Sequence, residues 1–293
     1  MLWAGLVLFY GIVKGFRDVV KKKALNKNSV VEVLFVYTFL AFIFCLPEAP
    51  AAFSGLPTKY YFLIAIKSFV IFVAWIMSFM ALDKIPISVY GILDLSRIIF
   101  STGFGIIVLK EKATVYTTIG LILVLSGLLF LRLYPTIRMR TGKGNQAFRS
   151  EKIPPKYVWM VLGSCILNAI SGCLDKIYMR DINSSQLQFW YMLYLVLFYG
   201  ILFVADRVKL SLSVWKNGWI WLLSFMFFIA DKALFIANSV TDSKIIIMTL
   251  LKQSSCIISI ICGKFIFKEK NIGYKIFCAL IILAGIMVSV TGR

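Results

Sequence analysis

The stretch "LKEKATVYTTIGLILVLSGLLFL" at residues 109–131 is matched by "FKEKNIGYKIFCALIILAGIMVS" at residues 267–289, a constant shift of 158 positions. Glu111 falls on Glu269 and Gly127 on Gly285. Working outward, Gly105 falls on Gly263 and Ser101 on Ser259. At the far end of the register, Arg17 and Asp18 fall on Asp175 and Lys176. One shared Lys-Glu-Lys triplet is within the reach of chance. A single register that also holds for glycines, serines and the charges of a distant segment describes a tandem repeat.

The material being repeated is strongly apolar. Of 293 residues, 60% are hydrophobic and 15% charged, and mean hydropathy is +0.89. A soluble domain carries about 25% charged residues. The apolar residues form ten blocks, at approximately 2–20, 30–46, 60–82, 85–109, 114–132, 157–179, 186–205, 218–238, 245–267 and 273–291. Most are long enough to cross about 30 Å of hydrocarbon at ~1.5 Å per residue. Lipid leaves backbone groups no partner outside the segment, so such runs fold as helices. They lack the short alternation of a transmembrane barrel. The first block runs into Lys14 and Arg17 rather than a small-residue cleavage site, so it reads as a span and not as a cleaved leader.

The expected fold is therefore an all-α integral membrane protein with ten transmembrane helices in two five-helix repeats. An odd number of spans per repeat inverts the second copy, an arrangement known in transporters, with the solute site near the midplane. The expected units are residues 1–134, a basic linker at 135–156, and residues 157–293. The linker region, "YPTIRMRTGKGNQAFRSEKIPPK" from 134, is polar with prolines at both ends and reads as an exposed connection.

These features resemble the EamA-type branch of the drug/metabolite transporter superfamily. The residues that carry the resemblance are Glu111 with Gly120 and Gly127, Glu269 with Gly285, and the stretch "ALDKIPISVYGIL" at 81–93. The resemblance covers nearly the whole chain. It implies a transporter in a cell membrane, of the bacterial plasma membrane type, and leaves the substrate open, because the family handles amino acids, sugars, nucleotides, lipids and drugs. Many relatives carry a proline inside the fourth helix. This chain has none between Pro86 and Pro135, so no proline imposes the usual kink.

Loop charge bears on orientation. "KKKALNK" at 21–27, the linker, and Arg207, Lys209 and Lys216 follow odd-numbered helices, whereas Lys59, Lys110, Lys112, Arg180 and Lys244 are the few cations after even-numbered ones. The positive-inside rule places the basic loops in the cytoplasm and both termini outside. The resemblance implies both termini inside, and charge is given precedence here. The net charge of +19 suits anionic lipid headgroups, and its scatter over loops argues against nucleic acid.

The six cysteines lie within apolar blocks and read as small fillers, and the chain has no histidine. No metal or cofactor is expected. No HExxH, GxSxG or paired-Asp motif is present, so no catalytic residue is assigned and an enzyme is disfavoured.

Lys67, Asp94, Arg97, Asp231, Lys232 and Lys252 lie deepest in the apolar blocks. Each costs about 2.5–3.5 kcal/mol at a helix centre on insertion scales, so none should face lipid. Tyr90, Asp94, Arg97, Ser101 and Gly105 share one face of the fourth helix. The repeat register sets Asp94 on Lys252, and a pair between them across the central cavity is expected. Lys14, Arg17, Asp18, Asp175 and Lys176 lie towards helix ends, where they either snorkel or join the cavity. The repeated glycines read as packing residues. Glu111 and Glu269 read as caps of the helices that follow them.

The expected substrate-binding set is Arg97, Lys252, Lys67, Asp94, Asp231 and Tyr90. Arg97 and Lys252 would hold an anionic group, Asp94 would balance them and carry a proton, and Tyr90 and Trp75 would form the wall. The expected function is a secondary-active carrier for a small anionic or zwitterionic metabolite, coupled to a proton or to an exchanged solute. Its other partners would be membrane lipids, and it would be a monomer or homodimer. The alternative is a lipid translocase on the same fold, which would need a charged groove reaching the lipid.

Overall fold

A computed structural model describes residues 2–26, 28–110, 114–140, 154–206, 211–269 and 272–291. All regular structure among them is helical. In the first half α1 spans Leu2–Leu25, α2 Val30–Cys45, α3 Ala49–Phe53, α4 Thr58–Lys84, α5 Ile87–Leu93, α6 Arg97–Ile107 and α7 Val115–Arg140. In the second, α8 spans Pro155–Tyr178, α9 Ser184–Ala205, α10 Leu212–Trp215, α11 Gly218–Ser239, α12 Ile245–Lys252, α13 Ser255–Phe265 and α14 Ile272–Thr291. Residues 141–153 of the expected linker lie outside the described residues, as do Lys112, Arg207 and Lys209. α7 continues to Arg140, into the stretch read from sequence as a connection.

Seven helical stretches are long and apolar enough to cross a membrane, and Val115–Gly127 and Ile272–Gly285 are shorter apolar helices. Large apolar side chains such as Phe62, Phe69, Trp159, Ile201 and Phe265 stand on the outside, where a membrane would solvate them. Local signals set several helix ends. Ser29 and Glu32 form a reciprocal capping box at the start of α2, and Asn183 and Gln186 do the same for α9.

The repeat is visible in backbone detail. The fourth apolar block is not one helix. It breaks at a 3-10 turn, Asp94–Ser96, between α5 and α6. The ninth block breaks at the equivalent place, between Lys252 and Ser255, where the amides of Gln253 and Ser254 bond to the carbonyls of Leu250 and Leu251 at 3.0 and 3.2 Å. Farther along, Lys110 and Lys268 both take a left-handed φ, 54° and 52°. The two breaks correct the reading of continuous fourth and ninth helices, and they occur without proline or glycine.

Tertiary contacts accommodate the irregular backbone. The Cys165 thiol of α8 donates towards the carbonyls of Asp94 and Leu93, at 3.7 and 3.9 Å. At the second break, glycines bring α1 close. A Cβ on Gly15 would lie 2.8 Å from the Ser255 carbonyl, and one on Gly11 3.1 Å from that of Leu251. Non-helical backbone at membrane depth is tolerated only where protein or a wet cavity surrounds it.

α7 and α14 pack against each other through glycine. A Cβ on Gly285 would sit 2.6 Å from the Gly120 carbonyl, and one on Gly127 2.6 Å from Ile282. This matches the packing role read for Gly120, Gly127 and Gly285. Gly263 serves a different purpose. A Cβ there would lie 3.0 Å from Glu269 Oε2, so its lack of a side chain makes room for that carboxylate.

Candidate functional site

The breaks in α5–α6 and α12–α13 flank a central cavity of about 80 Å³. α1 supplies Tyr10, Lys14, Arg17, Asp18 and Lys21; α4 supplies Lys67, Ile71, Trp75 and Ser78. Tyr90 and Arg97 come from α5 and α6, and Asn168, Ser171, Gly172 and Asp175 from α8. Tyr191, Phe227, Asp231, Leu234, Phe235 and Lys252 complete the lining from α9, α11 and α12. Both halves therefore contribute charge and aromatic wall.

Helix periodicity explains α1. Lys14, Arg17, Asp18 and Lys21 step by three, four and seven, so one face of a single helix carries all of them inward. All four are buried. Lys14, Arg17 and Asp18 therefore join the cavity and do not snorkel, and Lys21, read from sequence as the start of a basic loop, lies within α1, which runs to Leu25. The spacing was legible in the sequence, but proximity to a helix end masked it.

The charges pair as follows. Asp94 sits between Lys14, which donates to Oδ2, and Arg97, whose Nη2 donates to Oδ1 at 2.8 Å. Lys14 also reaches Ser255 Oγ at 3.5 Å, so one ammonium touches the break in each half. Arg17 pairs with Asp231 at 3.3 Å and Lys21 with Asp18 at 3.0 Å. Lys67 lies 2.8 Å from Asp175 and 3.6 Å from the centre of the Tyr191 ring. The Lys67–Asp175 approach is electrostatic, since Asp175 Oδ1 accepts no aligned hydrogen bond among the described residues.

Lys252 has no carboxylate within ion-pair distance among the described residues. Its ammonium lies over the face of Tyr10, 5.7 Å from the ring centre. This corrects the expected Asp94–Lys252 pair. The equivalent positions both lie at helix breaks beside the cavity, but Lys14 and Arg97 already occupy both oxygens of Asp94. Arg97 in turn keeps Nε without a hydrogen-bond partner among the described residues. Six cations thus share the region with four carboxylates, Asp18, Asp94, Asp175 and Asp231, a surplus of two positive charges.

Of the residues expected from sequence to bind substrate, Lys67, Tyr90, Arg97, Asp231 and Lys252 line this cavity. Asp94 is buried just behind it. Tyr90 is turned to Ser78, its hydroxyl 2.5 Å from Ser78 Oγ. Trp75 stands edge-on to Phe227 at 5.1 Å and forms part of the wall. Lys232, grouped with the deep charges from sequence, points elsewhere. It pairs with Glu48 at 2.8 Å and with Ser185 at 2.8 Å, away from the cavity lining. Lys176 likewise turns away, bonding the carbonyls of Asn238 and Val240 at 3.1 and 2.8 Å.

Glu269 departs from its expected role. It accepts from the amides of Ile87 at 2.8 Å and Ser88 at 3.4 Å, and from the Ser88 hydroxyl. It therefore caps α5 of the opposite half instead of the helix that follows it. Its equivalent, Glu111, lies outside the described residues. Among the described residues, no group of three or more His, Cys, Asp or Glu is placed to hold a metal ion.

Comparison with known proteins places this geometry. The EamA-like transporter family matches over residues 1–133 and 155–291, one match to each half. None of the curated proteins matches. Among solved structures, 28 chains match. One, described only as the crystal structure of a protein, is 13% identical with a TM-score of 0.71, covering 99% of this chain and 98% of its own. At that identity the likeness speaks for the fold alone.

Proposed function

The chain belongs to the EamA-like transporter family, and from that premise we propose that it is a secondary-active carrier of a small anionic or zwitterionic metabolite, working by alternating access. The observation that carries the anion reading is Lys252, a buried cation lining a central cavity with no carboxylate partner among the described residues. Arg97, on the first turn of α6, adds a second positive group at the same cavity. A half-helix N-terminus beside an anionic solute is a recurrent transporter arrangement. Asp94 holds Lys14 and Arg97 in place.

The proposed membrane arrangement has ten spans. α5–α6 and α12–α13 each count as one broken span, and α1, α7 and α14 complete the set. Alternation then inverts the second half relative to the first and brings the C-terminal turn of α1, with Lys22 and Lys23, and the connections after α7 and α9 to one face, cytoplasmic by their lysines and arginines. Lys14, Arg17, Lys21, Lys67, Arg97 and Lys252 converge on the cavity, while outward positions such as Phe62 and Phe69 are apolar. This favours a solute carrier over a lipid translocase.

Thermal stability of the detergent-purified protein against a panel of anionic, zwitterionic, neutral and cationic solutes tests the proposal. A ligand that binds only the folded state raises Tm. Anions or zwitterions should do so, and Lys252→Gln should abolish the shift. Stabilisation by cations alone would overturn it.

A further inference from the structure

Resting on the carrier reading, we infer that the cavity takes a compact dianion of the phosphate type, and that the carrier changes access only when loaded, so that it exchanges one dianion for another. The cavity has about 80 Å³. A water needs about 10–15 Å³ on that measure, so the space suits a cluster of several waters or a compact solute. An extended metabolite would not fit without movement of the walls. The charge surplus is two, because six cations share four carboxylates: Asp94 is divided between Lys14 and Arg97, and Lys252 has no carboxylate within ion-pair distance among the described residues. A solute with two negative charges on one small centre neutralises it.

The donors suit phosphoryl oxygens. Lys252 offers an ammonium with no carboxylate partner among the described residues, and Arg97 has Nε left over after spending Nη2 on Asp94. Guanidinium and ammonium groups together are the usual recognition set for phosphate.

Exchange follows from the same count. Alternating access passes through a state in which the cavity is shut from water on both sides. Unloaded, that state holds a net surplus of two positive charges in a low-dielectric interior, where excess charge is strongly disfavoured. Loaded with a dianion, it is neutral. The loaded carrier therefore turns more readily than the empty one.

Liposomes carrying the full chain test both parts. Uptake of labelled inorganic phosphate is measured into vesicles loaded with phosphate, with acetate, or with a neutral sugar. Internal phosphate should raise initial uptake about tenfold or more over sugar, the factor given by ~1.36 kcal/mol on a barrier, and acetate should not substitute. Lys252→Gln lowers the surplus to one and should shift the preference from phosphate towards acetate. Lys59→Gln, which removes an exposed cation outside the cavity, should leave the preference unchanged. Equal uptake into phosphate-loaded and sugar-loaded vesicles would overturn exchange. Equal efficiency of acetate and phosphate in the unaltered protein would overturn the dianion, whatever the Lys252 variant does. Failure of every anion to bind or move would overturn the inference together with the carrier reading beneath it.

Discussion

Lys67 of the first half and Asp175 of the second meet at 2.8 Å in the wall of the central cavity. The Lys67 side chain is 1% exposed, with its ammonium over the Tyr191 and Phe235 rings. With Arg17–Asp231, this pair ties the two halves together through charge at the cavity itself. Lys67→Met alone should destabilise the protein by about 3–5 kcal/mol, because it strands a buried carboxylate. Adding Asp175→Leu should restore much of the loss. Melting temperatures of the two single variants and the double would show this as strong non-additivity, and additive values would count against the pair.

Asp94 serves two cations, so its loss should cost more than the loss of either. Asp94→Asn strands both Lys14 and Arg97, and Lys14→Met in that background should recover stability. Asp94→Lys combined with Lys252→Asp should show no recovery over the single exchanges, since no contact joins the two positions. A clear rescue by that double exchange would show that Asp94 and Lys252 interact after all.

Glu269 holds the start of α5 from the opposite half. Side-chain caps contribute about 0.5–2 kcal/mol. Glu269→Ala should therefore raise amide hydrogen exchange at residues 87–93 while leaving α11 unchanged. Uniform change across the protein, or none at 87–93, would contradict a local capping role.

Glycines should divide by their surroundings. Gly285→Ala places a Cβ 2.6 Å from the Gly120 carbonyl and should cost about 1–3 kcal/mol through forced separation of α7 and α14. Gly5 has nothing within 4 Å of such a Cβ, so Gly5→Ala should be neutral or slightly stabilising, as a helical Gly→Ala change is by about 0.5–1 kcal/mol. Thermal melts of the two variants make the comparison.

Much of this molecule could be read from local pattern. Apolar blocks announced helices and a membrane, and a shift of 158 residues announced two equivalent halves, which the paired left-handed lysines Lys110 and Lys268 repeat in backbone geometry. The inward direction of Lys67, Asp94, Asp231 and Lys252 also followed from sequence, because a charge in lipid is too costly to leave unsheltered. Direction on a helix is a periodic, local property.

What the tertiary structure decided was partnership. Asp94 could have met Lys252 by repeat register alone; it meets Lys14 because α1 packs on the second break through Gly11 and Gly15, and Lys14 on the same helix reaches Asp94 at the first and Ser255 at the second. The breaks contain no proline, and partners from separate helices lie against them: Cys165 reaches the carbonyls of the first, and the Gly11 and Gly15 backbone of α1 packs against those of the second. Glu269 caps a helix 182 residues away from it in sequence. Each of these depends on where separate helices come to rest against one another. That is set by the sum of packing over the whole chain, and no window of sequence contains it.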